Sequence, residues 1–142
     1  MIEQISVFIE NKSGKIADIT ACLAKAGVDL RALSVADTPD FGILRLLVND
    51  AQKAKNVLGE MNCMVRSTGV VVVAVPDIPG GVALVLNILK ENNVNIEYMY
   101  SLIGRGEEKA YMVFRVDNQD ILINVLTENK LQLVTKEELG IK

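Results

Sequence analysis

Val70-Val-Val-Val-Ala-Val-Pro76, then Asp77-Ile-Pro-Gly-Gly81, then an apolar run from Val82 to Glu91, then Asn93-Val-Asn-Ile96: this stretch decides the fold, because the chain has already said nearly the same thing once. The earlier version reads Ile5-Ser-Val-Phe-Ile-Glu10, Asn11-Lys-Ser-Gly14, a run from Lys15 to Ala26, and Gly27-Val-Asp-Leu30. Gly14 returns as Gly80 and Val28 as Val94, at one and the same spacing. Farther along, Asn49-Asp50 returns as Asp117-Asn118, at a spacing longer by two. The second copy therefore carries a two-residue insertion, placed near Gly104 to Glu108. A fixed internal period means one supersecondary unit used twice.

Each copy spells the same order of elements. Ile5, Val7 and Ile9 alternate as one face of a strand, and Ile16, Ile19, Leu23 and Ala26 recur at three-and-four spacing as one stripe of a helix. Ser13 is placed to cap that helix and Gly27 to end it. Strands follow over 30–36 and 43–48, separated by a turn at Thr38-Pro-Asp-Phe-Gly42. A second helix opens at Asn49-Asp50 and carries Ala54, Val57, Leu58 and Met61, and a short strand over 64–67 closes the unit. The second copy predicts strands at 71–75, 95–103, 110–116 and 131–135, helices at 81–91 and 118–128, and a hairpin loop at 104–108. The order βαββαβ with right-handed crossovers gives an antiparallel sheet with both helices on one face. The expected class is α+β: two tandem ferredoxin-like βαββαβ units, 1–68 and 69–142.

Two features ask for more cover than one helix layer supplies. The run over 70–75 is apolar on both faces, and Ile43 and Leu47 flank Arg45 on the face opposite Leu44, Leu46 and Val48. A half-open sheet should alternate. The helix over 81–91 is apolar nearly all round, which predicts burial on more than one side. Together these predict that a second copy or the other repeat covers the open face, and they predict a homodimer.

Composition removes several functions. The 142 residues carry a net charge of −3 with scattered basic residues, so a nucleic-acid partner is not expected. Three Tyr, three Phe and no Trp supply no stacking platform. Neither a basic leader nor a bilayer-length apolar run is present, so a cytoplasmic protein without membrane attachment is expected. Cys22 and Cys63 lack metal or redox spacing. There is no histidine, which removes the commonest general base and metal ligand. No catalytic residue, metal or cofactor is expected. Ser13-Gly14-Lys15 lacks the upstream glycine of a phosphate loop, and the acids at Asp37, Asp40, Asp117 and Asp120 read as turn and cap residues.

Binding fits better. In each copy a strand ends, the chain turns through glycine, and a helix begins with free amides and the positive end of its dipole. Asn11 and Asp77 precede those turns, and Asp29 and Asn95 open the second strands. Such residues are ordinary in turns; their recurrence in both copies is what singles them out.

The pattern resembles the ACT domain, a small-molecule-binding βαββαβ module of amino-acid metabolism. The resemblance lies in Asn11-Lys-Ser-Gly14 and Asp77-Ile-Pro-Gly-Gly81, similar to that family's Asp-x-Pro-Gly turn. It lies also in Gly27-Val-Asp-Leu30 and Asn93-Val-Asn-Ile96, and in Asp40-Phe-Gly-Ile-Leu-Arg-Leu-Leu-Val48. It implies two domains paired side by side in one eight-stranded sheet, with a free amino acid bound between them. One wall would be Asn11, Ser13, Gly14, Lys15 and Ile16. The other would be Asp77, Pro79, Gly80, Gly81 and Val82, with Asp29, Leu30, Asn95 and Ile96 from the second strands. It further implies a partner enzyme of amino-acid metabolism. Ser13 against Pro79 and Asp29 against Asn95 predict unequal sites. The alternative from another class is an interaction module, or a regulatory subunit with no ligand of its own.

Overall fold

The computed structural model describes residues 1–10, 12–38, 40–103 and 109–142. In chain order the elements are β1 (Ile2–Ile9), α1 (Lys15–Lys25), β2 (Leu30–Asp37), β3 (Gly42–Val48), α2 (Ala51–Glu60), β4 (Met64–Pro76), α3 (Gly81–Glu91), β5 (Ile96–Ser101), β6 (Lys109–Val116) and α4 (Gln119–Glu128). The chain forms two compact units. The first-repeat unit holds Glu3–Thr68 together with Lys136–Lys142; the second-repeat unit holds Met1–Ile2 and Gly69–Thr135.

In the first-repeat unit the strands lie in the order β2-β3-β1-β4. Antiparallel register sets Ile5 against Leu46 and Ile9 against Gly42, and sets Leu33 against Leu46 and Asp37 against Gly42. Ile19 and Leu23 of α1 and Ala54 and Leu58 of α2 share one core with Ile5, Val7, Ile9, Leu44, Leu46 and Val48. Both helices therefore cover one face, as their stripes predict. Each Val, Leu or Ile side chain among them contributes roughly 1.5–3 kcal/mol by leaving water. The terminal segment belongs to this unit: Leu139 and Ile141 are buried, and the Lys142 N–H donates to the Asn49 carbonyl at 2.9 Å.

The second-repeat unit orders its strands β4-β6-β5. Val71 faces Phe114 and Val75 faces Ala110, while Tyr100 faces Val113. Val73, Val75, Val85, Leu89, Phe114, Leu122 and Leu126 make its core. Tyr98 and Tyr100 stack along β5 with ring centroids 6.4 Å apart.

The repeat extends to helix ends. Gly27 and Asn93 take positive φ after α1 and α3, and Asn62 and Lys130 do so after α2 and α4. In all four the next amide reaches back to a carbonyl in the last turn, as in Val28 to Leu23, Cys63 to Leu58, Val94 to Leu89 and Leu131 to Leu126. That is the glycine-type helix stop, here accomplished twice by Asn and once by Lys.

Three expectations need correction. Ser13 does not cap α1; the N-cap is Gly14, in the left-handed region and without a side-chain cap bond. The strands expected at 64–67 and 71–75 are one 13-residue strand, β4. Nothing between them stops a strand: Ser67-Thr68-Gly69 stays extended, and the Gly69 carbonyl accepts from Arg115 (3.0 Å) and Gln119 (2.8 Å). The strand expected at 131–135 is a single bridge, Val73 to Leu133, held by two backbone bonds, the Ala74 N–H to the Gln132 carbonyl at 3.0 Å and the Val134 N–H to the Val72 carbonyl at 2.8 Å. Eight strands thus become six among the described residues. Within the single chain α3 buries Val85 and Leu89 and leaves Val82 and Leu84 exposed.

The strand run over 70–75 is buried throughout, and so are Gln4, Ser6, Ala32 and Leu47 on the sheet face away from the first-repeat helices. The hairpin loop expected at 104–108, its insertion, and Pro39 of the first hairpin turn lie outside the described residues. Among the described residues no helix is long and apolar enough to cross a membrane.

Candidate functional site

Two kinds of helix start exist in this fold. Asp50 caps α2 by accepting the Lys53 N–H at 3.1 Å, and Asn118 caps α4 by accepting the Ile121 N–H at 3.2 Å. At α1 and α3 the N-cap is glycine, with φ of 85° at Gly14 and 86° at Gly80 and no side-chain cap bond. The first amide in each case is satisfied by the turn itself: Lys15 N–H to the Lys12 carbonyl at 3.2 Å and Gly81 N–H to the Ile78 carbonyl at 3.0 Å. The second and third helical amides, at Ile16 and Ala17 and at Val82 and Ala83, have no partner that a helix can supply. They point outward at the positive end of the dipole, where an anion is favoured.

The sequence-predicted residues fall into separate groups within each unit. Ser13, Gly14, Lys15 and Ile16 follow β1, with Ser13 and Gly14 exposed and the other two half-buried. Asn11 lies outside the described residues. Asp29 and Leu30 sit at the other end of the sheet, since Ile9 is in register with Gly42 and Asp37 while Leu30 pairs with Val48. Seven strand residues at about 3.3 Å each separate those ends by roughly 23 Å. Likewise Asp77, Pro79 and Gly80 are exposed at the start of α3, with Gly81 buried and Val82 exposed, while Asn95 and Ile96 open β5 beside Asn93 and Lys90. Within one unit the two groups do not meet.

Asp29 has structural work to do. Its N–H donates to Asn49 Oδ1 at 2.8 Å and its carbonyl accepts from the Asn49 N–H at 3.0 Å, while its carboxylate pairs with Arg31 at 2.8 Å. Asn95 stands at the matching place in the second repeat, and there the counterpart of Asn49 is Asp117, which accepts from the Asn118 N–H instead. The two second-strand starts are therefore built differently.

Gly81 explains the double glycine. A Cβ there would overlap the Pro76 carbonyl oxygen and touch Val75. The first repeat carries Lys15 at the corresponding place.

The turn after β1 opens into a groove of about 720 Å³. Its apolar walls are Phe8, Ile9, Phe41, Cys63 and Met64, and its cations are Lys12, Lys15 and Arg66. Phe8 and Phe41 meet edge to face, centroids 5.7 Å apart, and the Arg66 guanidinium lies 5.9 Å from the Phe8 ring. Glu10, also in the lining, pairs with Lys12 at 2.8 Å, and that hydrogen bond and charge hold its carboxyl below the ordinary range. Of the groove residues, sequence reasoning finds Lys15 alone. The signal for the rest was faint: Phe8 and Phe41 are two of only three phenylalanines, and both project where a hairpin turn meets a strand end.

The profile of the ACT domain pair family matches residues 1–141. Among solved structures, a protein of Bacteroides thetaiotaomicron is 41% identical, with 98% of this chain and 95% of that one covered and a TM-score of 0.89. The ligand-free regulatory subunit of aspartate kinase from Thermus thermophilus is 16% identical over 89% of this chain and 91% of that one, TM-score 0.65. Its counterpart from Thermus flavus is 17% identical over 89% and 90%, TM-score 0.58. These last two likenesses are of fold. No curated protein matches the sequence.

Proposed function

The chain belongs to the ACT domain pair family, and from that premise we propose a non-catalytic regulator whose effector is a free amino acid. One observation carries the proposal. Two helix starts, at matching places in the two repeats, share the same left-handed glycine and the same absence of a side-chain cap, so that each leaves amides for a carboxylate. In this reading 1–68 and 69–142 are the two domains, and the ligand meets Asn11, Ser13, Gly14, Lys15 and Ile16 or their counterparts Asp77, Pro79, Gly80, Gly81 and Val82. Asp29, Leu30, Asn95 and Ile96 complete the proposed set. The bound amino acid biases a dimer or a partner enzyme by its differential affinity for two states. That partner belongs to amino-acid metabolism, a choice supported by the fold shared with a regulatory subunit of aspartate kinase.

Titration calorimetry with the twenty amino acids tests it, on the parent chain and on Gly14→Asp and Gly80→Asp separately. An added carboxylate at either helix start should repel the ligand carboxylate and weaken binding about tenfold or more. Absence of binding by every amino acid at about 1 mM, a weak affinity by any standard, sinks the effector. Unchanged affinity in both variants moves the site elsewhere.

A second reading draws on Ile78, Val82 and Leu84, apolar side chains exposed around the start of α3. A ligand-free interaction module would use such a surface to hold an enzyme. It would co-purify with that enzyme and respond to no amino acid.

A further inference from the structure

We propose that the groove of the first-repeat unit binds a small carboxylic acid with an aromatic or branched apolar body, one molecule per chain. This deepens the regulator reading by naming the ligand class, and rests on that reading only for what binding accomplishes.

Charge comes first. Three cations, Lys12, Lys15 and Arg66, face one carboxylate, Glu10, leaving a surplus of two positive charges in the lining. Lys12 and Glu10 already neutralise each other at 2.8 Å. The surplus therefore sits on Lys15, at the first position of α1, and on Arg66, on β4. The uncapped amides of α1 add to the positive field on the Lys15 side. A guanidinium is suited to grip a carboxylate through two parallel N–H bonds.

The walls define the rest of the ligand. Phe8 and Phe41 form an edge-to-face pair, aromatic surface against which a third apolar group can pack. Met64 is 71% exposed and Phe41 38% exposed, large apolar surface that an occupant would take out of water. Met64 adds an adaptable wall that can fit a ring or a branched chain. A volume of about 720 Å³ falls in the range of small-molecule sites, concave and mostly apolar with a few polar groups.

The second repeat does not reproduce this chemistry. At the corresponding positions Phe8 becomes Ala74, Lys12 becomes Ile78 and Lys15 becomes Gly81; beyond the insertion, Met64 becomes Gln132 and Arg66 becomes Val134. Ala74 and Val134 are buried. Neither the Phe8 ring nor the Arg66 guanidinium has an equivalent there, which is why the expected stoichiometry is one.

Calorimetry with L-phenylalanine, L-leucine and phenylpyruvate, against L-lysine and L-aspartate, tests the assignment. The apolar acids should bind one per chain and at least about tenfold tighter than lysine or aspartate, and Arg66→Gln and Phe41→Ala should each weaken them about tenfold. Equal binding of phenylalanine and phenylpyruvate identifies the acid and apolar body as sufficient. Binding of phenylalanine alone adds Glu10 as the ammonium partner, and Glu10→Gln should then abolish the preference. Failure of all three apolar acids to bind, or parent-like affinity in both Arg66→Gln and Phe41→Ala, overturns the proposal. If another amino acid then binds and depends on Gly14 or Gly80, the regulator reading survives; if none binds, both fall. Should a variant fold poorly, Cys63 in the groove wall reports directly. In a Cys22→Ser chain, saturating apolar acid should slow iodoacetamide alkylation of Cys63 about fivefold or more by occluding the thiol. An unprotected thiol at saturation counts against the site.

Discussion

Where β1 leads into α1 and where β4 leads into α3, the backbone follows one course: φ is 85° at Gly14 and 86° at Gly80, and the first helical amide bonds back three residues in both. The side chains along that course differ. The first repeat carries Phe8, Lys12 and Lys15 and opens a charged, aromatic groove. The second carries Ala74, Ile78 and Gly81, and its helix start closes down until no Cβ fits at Gly81. Duplication preserved what the backbone needs. It left free what a ligand would read.

Substitutions at matched positions test that contrast. The largest effect is expected at Gly81→Ala, where overlap with the Pro76 carbonyl must push the start of α3 off β4. About 3–4 kcal/mol of destabilisation in urea unfolding is expected, the scale of overpacking plus backbone strain. Lys15→Ala should cost within about 0.5 kcal/mol, as a surface change does. A Gly81→Ala cost near that of Lys15→Ala would show that the two turns are not built differently.

Next come Gly14→Ala and Gly80→Ala. Open space surrounds both, so only the left-handed backbone resists a Cβ, at about 1–2 kcal/mol each. The two costs should agree within about 0.5 kcal/mol, because the conformation is shared. A clear inequality would break the shared half of the comparison.

Asp50→Ala and Asn118→Ala remove the side-chain caps of α2 and α4 and should cost about 1 kcal/mol each. Amide exchange should quicken in the first turn of the affected helix. Unchanged protection there would mean that the caps contribute nothing.

The smallest effect concerns acid. Glu3 is held below its ordinary 4.5 by hydrogen bonds from Lys55 and Ser67, and Asp50 below 3.8 chiefly by the Lys53 amide. A carboxyl lowered on folding adds stability that is complete above its unfolded value and fades as pH falls through the folded one. Stability should therefore hold from neutral pH to about 5, since the chain has no histidine, and decline below about 4.5. The counterparts of Glu3, Glu10 and Asp50 in the second repeat are Gly69, Pro76 and Asn118, none of which titrates. The decline should thus begin in the first-repeat unit, with amide exchange there rising first. Simultaneous loosening of both units at acid pH would contradict it, and Glu3→Gln should flatten the slope.

Much of the fold was legible because its determinants are local. Helix stripes, the αL stop at Gly27 and the cap at Asp50 each depend on residues within a turn of one another. Ser13 misled for the same reason: a good capping residue one position early yields to a glycine that can turn left-handed. The strand boundaries at 64–76 and 131–135 misled because strand length is set by neighbours distant in sequence: residues 71–76 pair with β6, whereas Leu133 meets Val73 in a single bridge.

The sequence by itself determined the duplicated βαββα order and the two glycine turns, since period and backbone permission are written in residues close together. Tertiary structure alone decided the groove. Phe8, Phe41 and Arg66 lie on β1, on a hairpin turn and on β4, and only sheet register brings a ring, its partner and a guanidinium to one place.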